Sequence, residues 1–219
     1  PRPARRRTCP REASPVSPSS RRVLLLGDSV GMSAGYSFGS SGYAPLLAPR
    51  LAGDRIEVAW NTDNGGSSRT LRALVAGRSV DMASGLLLFN CGLHDVVRRE
   101  PGAPCAVGTE EYAGNLAAIA RRLLDAGRGT VVWASTTPVI DELHLRAKGF
   151  VRRDADVREY NRLAATVAAS LGIEVLDLCG VVERGGTATM LGPDGCHPNA
   201  AGRAALAEAV ERLIRRVGG

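Results

Sequence analysis

The sequence lacks the features that mark several large classes of protein. No apolar run reaches the ~18 residues of a membrane-spanning helix, and no apolar h-region follows the basic amino-terminal residues, as it would in a signal peptide. We therefore expect no membrane span in this sequence.

Aromatic residues make up only 4% of the chain, which leaves few platforms on which single-stranded nucleic acid could stack.

Cysteine is too scattered to indicate a metal site. The sequence has five cysteines, and no two of them form a C-x-x-C pair or another ligand spacing. They are Cys9, Cys91, Cys105, Cys179 and Cys196. An odd number cannot pair completely within one chain, so we expect free thiols. One disulfide that involves Cys105 stays open if the protein is exported.

Positive charge is confined to the amino-terminal segment. The net charge of the chain is +6, and the first 22 residues account for all of it, with seven arginines against the single acid Glu12. Electrostatic attraction normally dominates nucleic-acid binding. Because the rest of the chain is neutral overall, we predict that its folded part does not bind nucleic acid.

Residues 1–21 are predicted to form a disordered tail or linker. They contain five prolines among Arg and Ser residues, a composition that cannot bury apolar surface. The remaining length suits one domain over residues 22–219. The tail is either a linker behind a lost export signal or a disordered start, so both a cytoplasmic and a secreted protein stay open.

Short apolar runs alternate with amphipathic stretches of helical period along the rest of the chain. Five runs of strand length are predicted strands: Val23–Leu26, Ile56–Trp60, Leu86–Phe89, Thr130–Ala134 and Ile173–Leu178. Five amphipathic stretches are predicted helices: Tyr43–Leu51, Ser67–Ala76, Glu110–Ala126, Asp154–Leu171 and Asn199–Val217. This alternation predicts an α/β fold with a parallel sheet covered on both faces. Sites in such folds lie beyond the carboxyl ends of the strands.

The first chemical motif follows the first strand directly. Gly27-Asp28-Ser29-Val30-Gly31 would place Ser29 at a strand-to-helix turn, where helix amides stabilise negative charge. A turn serine that only caps a helix is the alternative. The segment also fits the G-x-S-x-G nucleophile elbow of α/β-hydrolases. That elbow normally follows several strands, whereas only one precedes Ser29.

The second motif is Asp194-Gly195-Cys196-His197-Pro198-Asn199, just before the last predicted helix. A serine hydroxyl becomes a good nucleophile when a base takes its proton, and imidazole suits that role near neutral pH. A carboxylate three residues earlier can bind Nδ1 of His197 and leave Nε2 facing the serine. The alternative is a turn at Asp194 with His197 as a helix cap.

Two further loops offer donors for a developing negative charge. Asn64-Gly65-Gly66-Ser67-Ser68 follows the second strand, and we choose Gly66 over Gly65 as the backbone donor. His94, after the third strand, offers a side-chain donor. The alternative for the first loop is a flexible βα loop. The alternative for the second is an ordinary loop histidine, with Asp95 capping the next turn.

Residues 139–153 are predicted to form a long loop. The stretch contains His144 and Lys148, and its length suits a lid or a specificity element. Thr136, Thr137 and Pro138 precede it and either line a pocket or form a strand-end turn.

Together these segments resemble the four blocks of the SGNH (GDSL) hydrolases. The resemblance implies a flavodoxin-like three-layer α/β/α sandwich with a five-stranded parallel sheet, and ester hydrolysis without a metal or an organic cofactor. One block departs from the family pattern. The family usually has Gly-x-Asn-Asp there, whereas this chain has Gly92-Leu93-His94-Asp95, a GLHD variant that resembles bacterial members.

The resemblance implies a serine esterase with Ser29, Asp194 and His197 as catalytic residues, and Ser29, Gly66 and His94 as the oxyanion hole. We expect it to hydrolyse a small acyl ester, in the first place an acetyl ester, of a carbohydrate or a secondary metabolite. Two alternatives stay open. One is an acyltransferase that uses the same residues, and the other is a non-catalytic binding module, motivated by His94. Sequence alone leaves the oligomeric state open.

Overall fold

The structure is a computed structural model that describes residues 21–32, 42–61, 64–77, 84–126 and 129–218. The predicted tail lies outside the described residues except for Arg21, which begins the first strand. Cys9 lies outside them as well.

Strands and helices alternate along the described chain. The strands are β1 (Arg21–Leu26), β2 (Ile56–Trp60), β3 (Leu86–Phe89), β4 (Thr130–Ala134) and β5 (Glu174–Leu176). The helices are α1 (Ala44–Leu51), α2 (Ser68–Gly77), α3 (Thr109–Ala126), α4 (Asp141–Lys148), α5 (Asp154–Ser170), α6 (Leu178–Arg184), α7 (Thr187–Met190) and α8 (Ala200–Gly218). A 3₁₀ turn (Ala52–Asp54) leads from α1 to β2.

The strands form one parallel sheet in the order β2-β1-β3-β4-β5. In its centre Leu25 of β1 lies opposite Trp60 of β2 and Leu88 of β3. Helix α3 contacts both α2 and α5, and α1, α6 and α7 each contact α8. These two groups form the layers on either side of the sheet. The predicted three-layer α/β/α fold with a five-stranded parallel sheet is confirmed.

The apolar core lies between the sheet and both helical layers. All four residues of β3 are buried, and Trp133 of β4 is among the largest fully buried side chains. The rings of Tyr112 and Tyr160 pack against each other, with centroids 4.8 Å apart and planes inclined by 46°. In the described part of the chain, no helix is long and apolar enough to cross a membrane, and Cys91, Cys105, Cys179 and Cys196 are free thiols.

Two predictions of local structure were wrong. Residues 139–153 are not one long loop, because they contain helix α4, which ends at Gly149 in the left-handed conformation with φ 74°. The fifth strand ends at Leu176 rather than at residue 178. There the side chain of Asp177 accepts the N–H of Gly180 at 2.8 Å and begins α6.

Three neighbouring segments hold the backbone at the end of β1. The side-chain amide of Asn61, which follows β2, accepts the N–H of Gly27 and donates to its carbonyl, each at 2.9 Å. The N–H of Gly65 donates to the same carbonyl at 2.9 Å. From the other side, Asn90 donates its N–H to the carbonyl of Leu26. The turn after β1 is therefore fixed from both neighbouring strands.

We expect that Gly65→Ala destabilises the fold and that Gly53→Ala does not. A Cβ at Gly65 would lie 2.5 Å from the carbonyl oxygen of Gly27, whereas a Cβ at Gly53 would meet no atom within 4 Å. Overpacking of this kind costs about 1–3 kcal/mol. Urea unfolding of both variants and the wild type measures the difference. Equal stability of the two variants would contradict the close approach described for Gly65.

Candidate active site

Ser29 lies in a tight turn at the carboxyl end of β1. The carboxylate of Asp28 accepts the N–H of Val30 at 3.0 Å, and the carbonyl of Asp28 accepts the N–H of Met32 at 3.0 Å. These bonds close one helical turn directly behind the strand. The serine is half-buried in this turn.

The loop before α8 brings a histidine to this serine. Oγ of Ser29 lies 2.9 Å from Nε2 of His197, although the two residues are 168 positions apart in the sequence. Nδ1 of His197 lies 2.6 Å from Oδ2 of Asp194. The structure thus brings the three residues that the sequence singled out into one hydrogen-bonded row.

The carboxylate of Asp194 is held by its own loop. Its Oδ1 accepts the backbone N–H groups of His197 at 2.9 Å and Cys196 at 3.1 Å. Burial alone would raise the pKa of Asp194, but the hydrogen bonds from the ring and the backbone of His197 outweigh burial and hold this pKa well below its usual range. Asp194 is therefore ionised near neutral pH and favours a proton on Nδ1 of the imidazole.

Helix α4 packs directly against this loop. Gly195 has φ 63°, and a Cβ there would lie 2.7 Å from the carbonyl oxygen of Ile140. Ile140 donates its N–H to Gly195 at 2.7 Å, and Nδ1 of His144 lies 3.3 Å from the carbonyl oxygen of Asp194. Nζ of Lys148 lies 3.4 Å from Oδ2 of Asp194. The segment predicted as a lid thus contacts and supports the loop before α8.

The sheet order places the two predicted donor loops on either side of Ser29. Gly66 follows β2 and His94 follows β3, and both strands neighbour β1. Gly66 has φ 58°, a conformation that favours glycine. Its N–H donates to Oδ1 of Asn64 at 2.9 Å. This amide is therefore occupied by a side chain of its own loop.

The imidazole of His94 is half-buried and neutral. Burial lowers the pKa of His94, the charges of Arg152 and His197 lower it further, and Asp28 opposes them. A neutral imidazole carries one N–H that can be donated.

A comparison with protein families decides the assignment. Residues 25–205 match the profile of the GDSL-like lipase/acylhydrolase family. The chain belongs to the GDSL-like lipase/acylhydrolase family. It is therefore an ester-bond hydrolase, and the resemblance seen in the sequence is confirmed. No curated protein sequence matches the hydrolase.

Several solved structures share the fold of this chain. A lipase/acylhydrolase from Enterococcus faecalis superposes with a TM-score of 0.73 at 18% identity, covering 90% of this hydrolase and 96% of that chain. LAE5, described as an α/β hydrolase enzyme from the metagenome of Lake Arreo, gives 0.66 at 22% identity, covering 90% and 95%. The acetylxylan esterase Axe2 from Geobacillus stearothermophilus gives 0.66 at 17% identity, covering 91% and 94%. At these identities the likeness shows the fold.

Sequence reasoning missed several side chains that position the site of the hydrolase. Asn61 directly follows a predicted strand, which is a signal for a polar residue at the site's edge of the sheet. Lys148 is the only lysine in the sequence, but nothing local indicated its approach to Asp194. The described residues contain no group of three or more His, Cys, Asp or Glu side chains arranged to hold a metal ion.

Asp95 links the two donor loops. Its carboxylate accepts the N–H of Ser68 at 2.9 and 3.0 Å and the hydroxyl of Ser68 at 2.5 Å. Ser68 begins α2, two residues after Gly66. The hydrogen bonds between Asp95 and Ser68 therefore fix the spacing between the Gly66 and His94 loops. Burial raises the pKa of Asp95 to about 6, against the lowering effect of the bonds from Ser68.

This pKa predicts that Asp95 makes the hydrolase less stable as the pH rises from about 4 to about 6. In the unfolded chain the carboxyl loses its proton near pH ~4, whereas in the folded protein it keeps its proton up to about pH 6. The unfolded state therefore binds fewer protons in this window, and stability falls as the pH rises. The Asp95→Asn variant has no carboxyl group at this position, so it does not lose stability in this way. Its unfolding free energy relative to the wild type should rise by about 2–3 kcal/mol between pH ~4 and ~7.

Urea unfolding at a series of pH values measures this difference. The exposed residue Asp125 of α3 provides a control, because Asp125→Asn should differ from the wild type by a nearly constant amount. A constant difference for Asp95→Asn over the same range would contradict the perturbed titration of Asp95.

Proposed function

We propose that this hydrolase is a serine esterase that cleaves a small acyl ester through an acyl-enzyme on Ser29. The observation that carries the proposal is the 2.9 Å approach of Ser29 Oγ to Nε2 of His197, with Asp194 at 2.6 Å from the other ring nitrogen. A hydroxyl needs an adjacent base to become a nucleophile. The carboxylate keeps the proton on Nδ1, which leaves Nε2 free to act as that base.

In the first half of the reaction, Oγ of Ser29 attacks the ester carbonyl carbon while His197 takes the hydroxyl proton. The carbonyl π electrons move to the oxygen and give a tetrahedral oxyanion. When the intermediate collapses, the bond to the alcohol oxygen breaks, and His197 returns its proton to the leaving alcohol. The acyl group then remains on Ser29.

In the second half, water replaces the alcohol. His197 takes a proton from the water as its oxygen attacks the acyl carbon, and a second tetrahedral oxyanion forms. Its collapse breaks the bond to Ser29, which recovers its proton from His197, and releases the carboxylic acid. Asp194 keeps its negative charge throughout and stabilises the imidazolium that forms in each half.

The oxyanion is proposed to bind the backbone N–H groups of Ser29 and Gly66 and the ring N–H of His94. Support comes from the sheet order, which places the Gly66 and His94 loops on either side of the serine. The neutral state of His94 also supports its role, because one ring nitrogen then carries a proton that it can donate. The bond from Gly66 to Asn64 must open, or be shared, when the oxyanion binds.

The expected substrates are acetyl esters of a carbohydrate or a secondary metabolite. Among these, the fold shared with an enzyme described as an acetylxylan esterase favours acetylated carbohydrates as the first compounds to test. An acyltransferase would use the same residues and differ only in passing the acyl group to an alcohol or an amine.

We expect Ser29→Ala to abolish ester hydrolysis. Without the hydroxyl no acyl-enzyme can form, and loss of a serine nucleophile costs on the order of 10⁶ in kcat in a well-studied protease. The measurement is release of p-nitrophenol and acetate from p-nitrophenyl acetate, together with labelling by a fluorophosphonate probe. Ser170→Ala, at the exposed end of α5, is the control and should keep both activity and labelling.

Turnover of Ser29→Ala near the wild-type rate would reject Ser29 as the nucleophile. Product analysis in the presence of added alcohols and amines distinguishes ester hydrolysis from acyl transfer. An acyl group found mainly on the acceptor, with little free acid, would replace the esterase by an acyltransferase.

We expect His94→Ala to lower kcat by about 10² to 10³ with little change in fluorophosphonate labelling, because one donor to the oxyanion is lost. His94→Asn restores an N–H donor and should stay within about tenfold of the wild type. Steady-state kinetics on p-nitrophenyl acetate measures both variants. Wild-type kcat in His94→Ala would remove His94 from the oxyanion hole.

A further inference from the structure

Arg152, between α4 and α5, is a buried cation without a carboxylate partner. It is only 5% exposed. Its Nη1 donates to Sγ of Cys196 at 3.3 Å, and its Cζ lies 5.3 Å from the ring centroid of Phe150. Its Nε is buried without a hydrogen-bond partner. Within the residues that the structure describes, no acidic side chain lies within 4.0 Å of this guanidinium.

The carboxylates that follow Arg152 in the sequence are engaged with other arginines. Asp154 binds Arg158 at 2.6 Å. Asp156 receives two bonds of 2.8 Å from Arg98. The Oδ2 atom of Asp194 is already within reach of an imidazole and a lysine. Arg152 therefore does not serve the fold as a member of an ion pair.

Burying a charge without a counterion opposes folding. A buried polar group without a partner in a native protein calls for a reason, and binding of a ligand is one such reason. Cys196 and Phe150 both contact the guanidinium and so restrict its orientation. A fixed guanidinium is well suited to bind a planar carboxylate with two parallel hydrogen bonds.

The position of Arg152 connects it with the proposed reaction. Cys196 precedes His197, whose ring reaches Ser29 at 2.9 Å. In addition to burial, the positive charge of Arg152 lowers the pKa of His94, whose loop follows β3. Through Cys196 the guanidinium contacts the loop that brings His197 to Ser29.

We propose that Arg152 binds a carboxylate of the substrate, so that the enzyme prefers esters that carry a negative charge near the ester bond. This inference rests on the proposed function and narrows its substrate class. An acetylated sugar acid, for example, would combine the expected acetyl group with a carboxylate that can pair with Arg152. The nearly complete burial of Arg152 requires this carboxylate to enter the site rather than rest on its rim.

Two matched substrate pairs test the inference on both sides of the ester bond. On the acyl side, mono-p-nitrophenyl succinate is compared with neutral p-nitrophenyl butyrate. On the alcohol side, 4-acetoxybenzoate is compared with neutral 4-acetoxybenzamide. In at least one pair, the wild type should show a kcat/KM about 10- to 100-fold higher for the anionic member, the range expected for a charged hydrogen bond.

Arg152→Gln should remove this preference and leave kcat/KM on the neutral esters within about threefold of the wild type, because only the charged contact is lost. Arg152→Lys should retain part of the preference, since it keeps the charge without the planar fork. Arg153→Gln is the control, because Arg153 is the exposed neighbour in the sequence and should change neither pair. Fluorophosphonate labelling of Ser29 verifies that each variant keeps its site.

Two results would overturn the inference. One is a wild type without preference for the anionic ester in either pair. The other is an equal loss of kcat/KM on anionic and neutral esters in Arg152→Gln, which would mean that Arg152 stabilises the oxyanion or the fold instead of a substrate carboxylate. Calorimetry with succinate and 4-hydroxybenzoate on Ser29→Ala, with and without Arg152→Gln, tests binding apart from catalysis. Failure of the proposed esterase activity would therefore be distinguishable from failure of this site.

Discussion

The position of Ser29, to which the other groups of the site are brought, depends on the paired hydrogen bonds between Asn61 and the backbone of Gly27. A side-chain amide has the same donor and acceptor pattern as a peptide group, so it extends the sheet's bonding by one step beyond β2. Because Asn61 is buried, water does not compete for these bonds. Ser29 follows two residues later, and its hydroxyl therefore has a defined position when the loop before α8 arrives.

The central part of the fold could be predicted because burial leaves a simple pattern. Strands β2, β3 and β4 have the predicted bounds. Strands β3 and β4 are almost wholly buried, and strands covered on both faces appear as continuous apolar runs between polar or glycine residues. Helix α4 could not be predicted in this way. It has eight residues, and its one buried side chain is the polar His144, so it shows no apolar face in the sequence. The end of β5 is set by Asp177, which caps the start of α6. The sequence does not mark this end, because apolar residues stand on both sides of Asp177.

The same distinction holds for the candidate site. Ser29, Asp194 and His197 belong to short motifs, and the neighbouring residues in the sequence are enough to indicate their chemistry. Arg152 lies in a segment rich in arginine and aspartate, a composition typical of a solvated surface. Its burial and its contact with Cys196, 44 residues away, appear only in the structure. For Asp95 the sequence offered only a turn cap, as part of the alternative interpretation of the His94 loop. In the structure its carboxylate binds Ser68, 27 residues earlier, because the tertiary fold brings the start of α2 to it.

The bond between Gly66 and Asn64 gives the proposed oxyanion hole a built-in selectivity for charge. A neutral ester carbonyl that displaces Asn64 exchanges one amide hydrogen bond for another of similar strength, so it gains little. An oxygen that carries a full negative charge forms a bond about twice as strong, and the exchange then becomes favourable. Under the role proposed for Gly66, this amide would contribute to the transition state and not to the bound ester. Such a contribution raises turnover without tightening the binding of the ester itself.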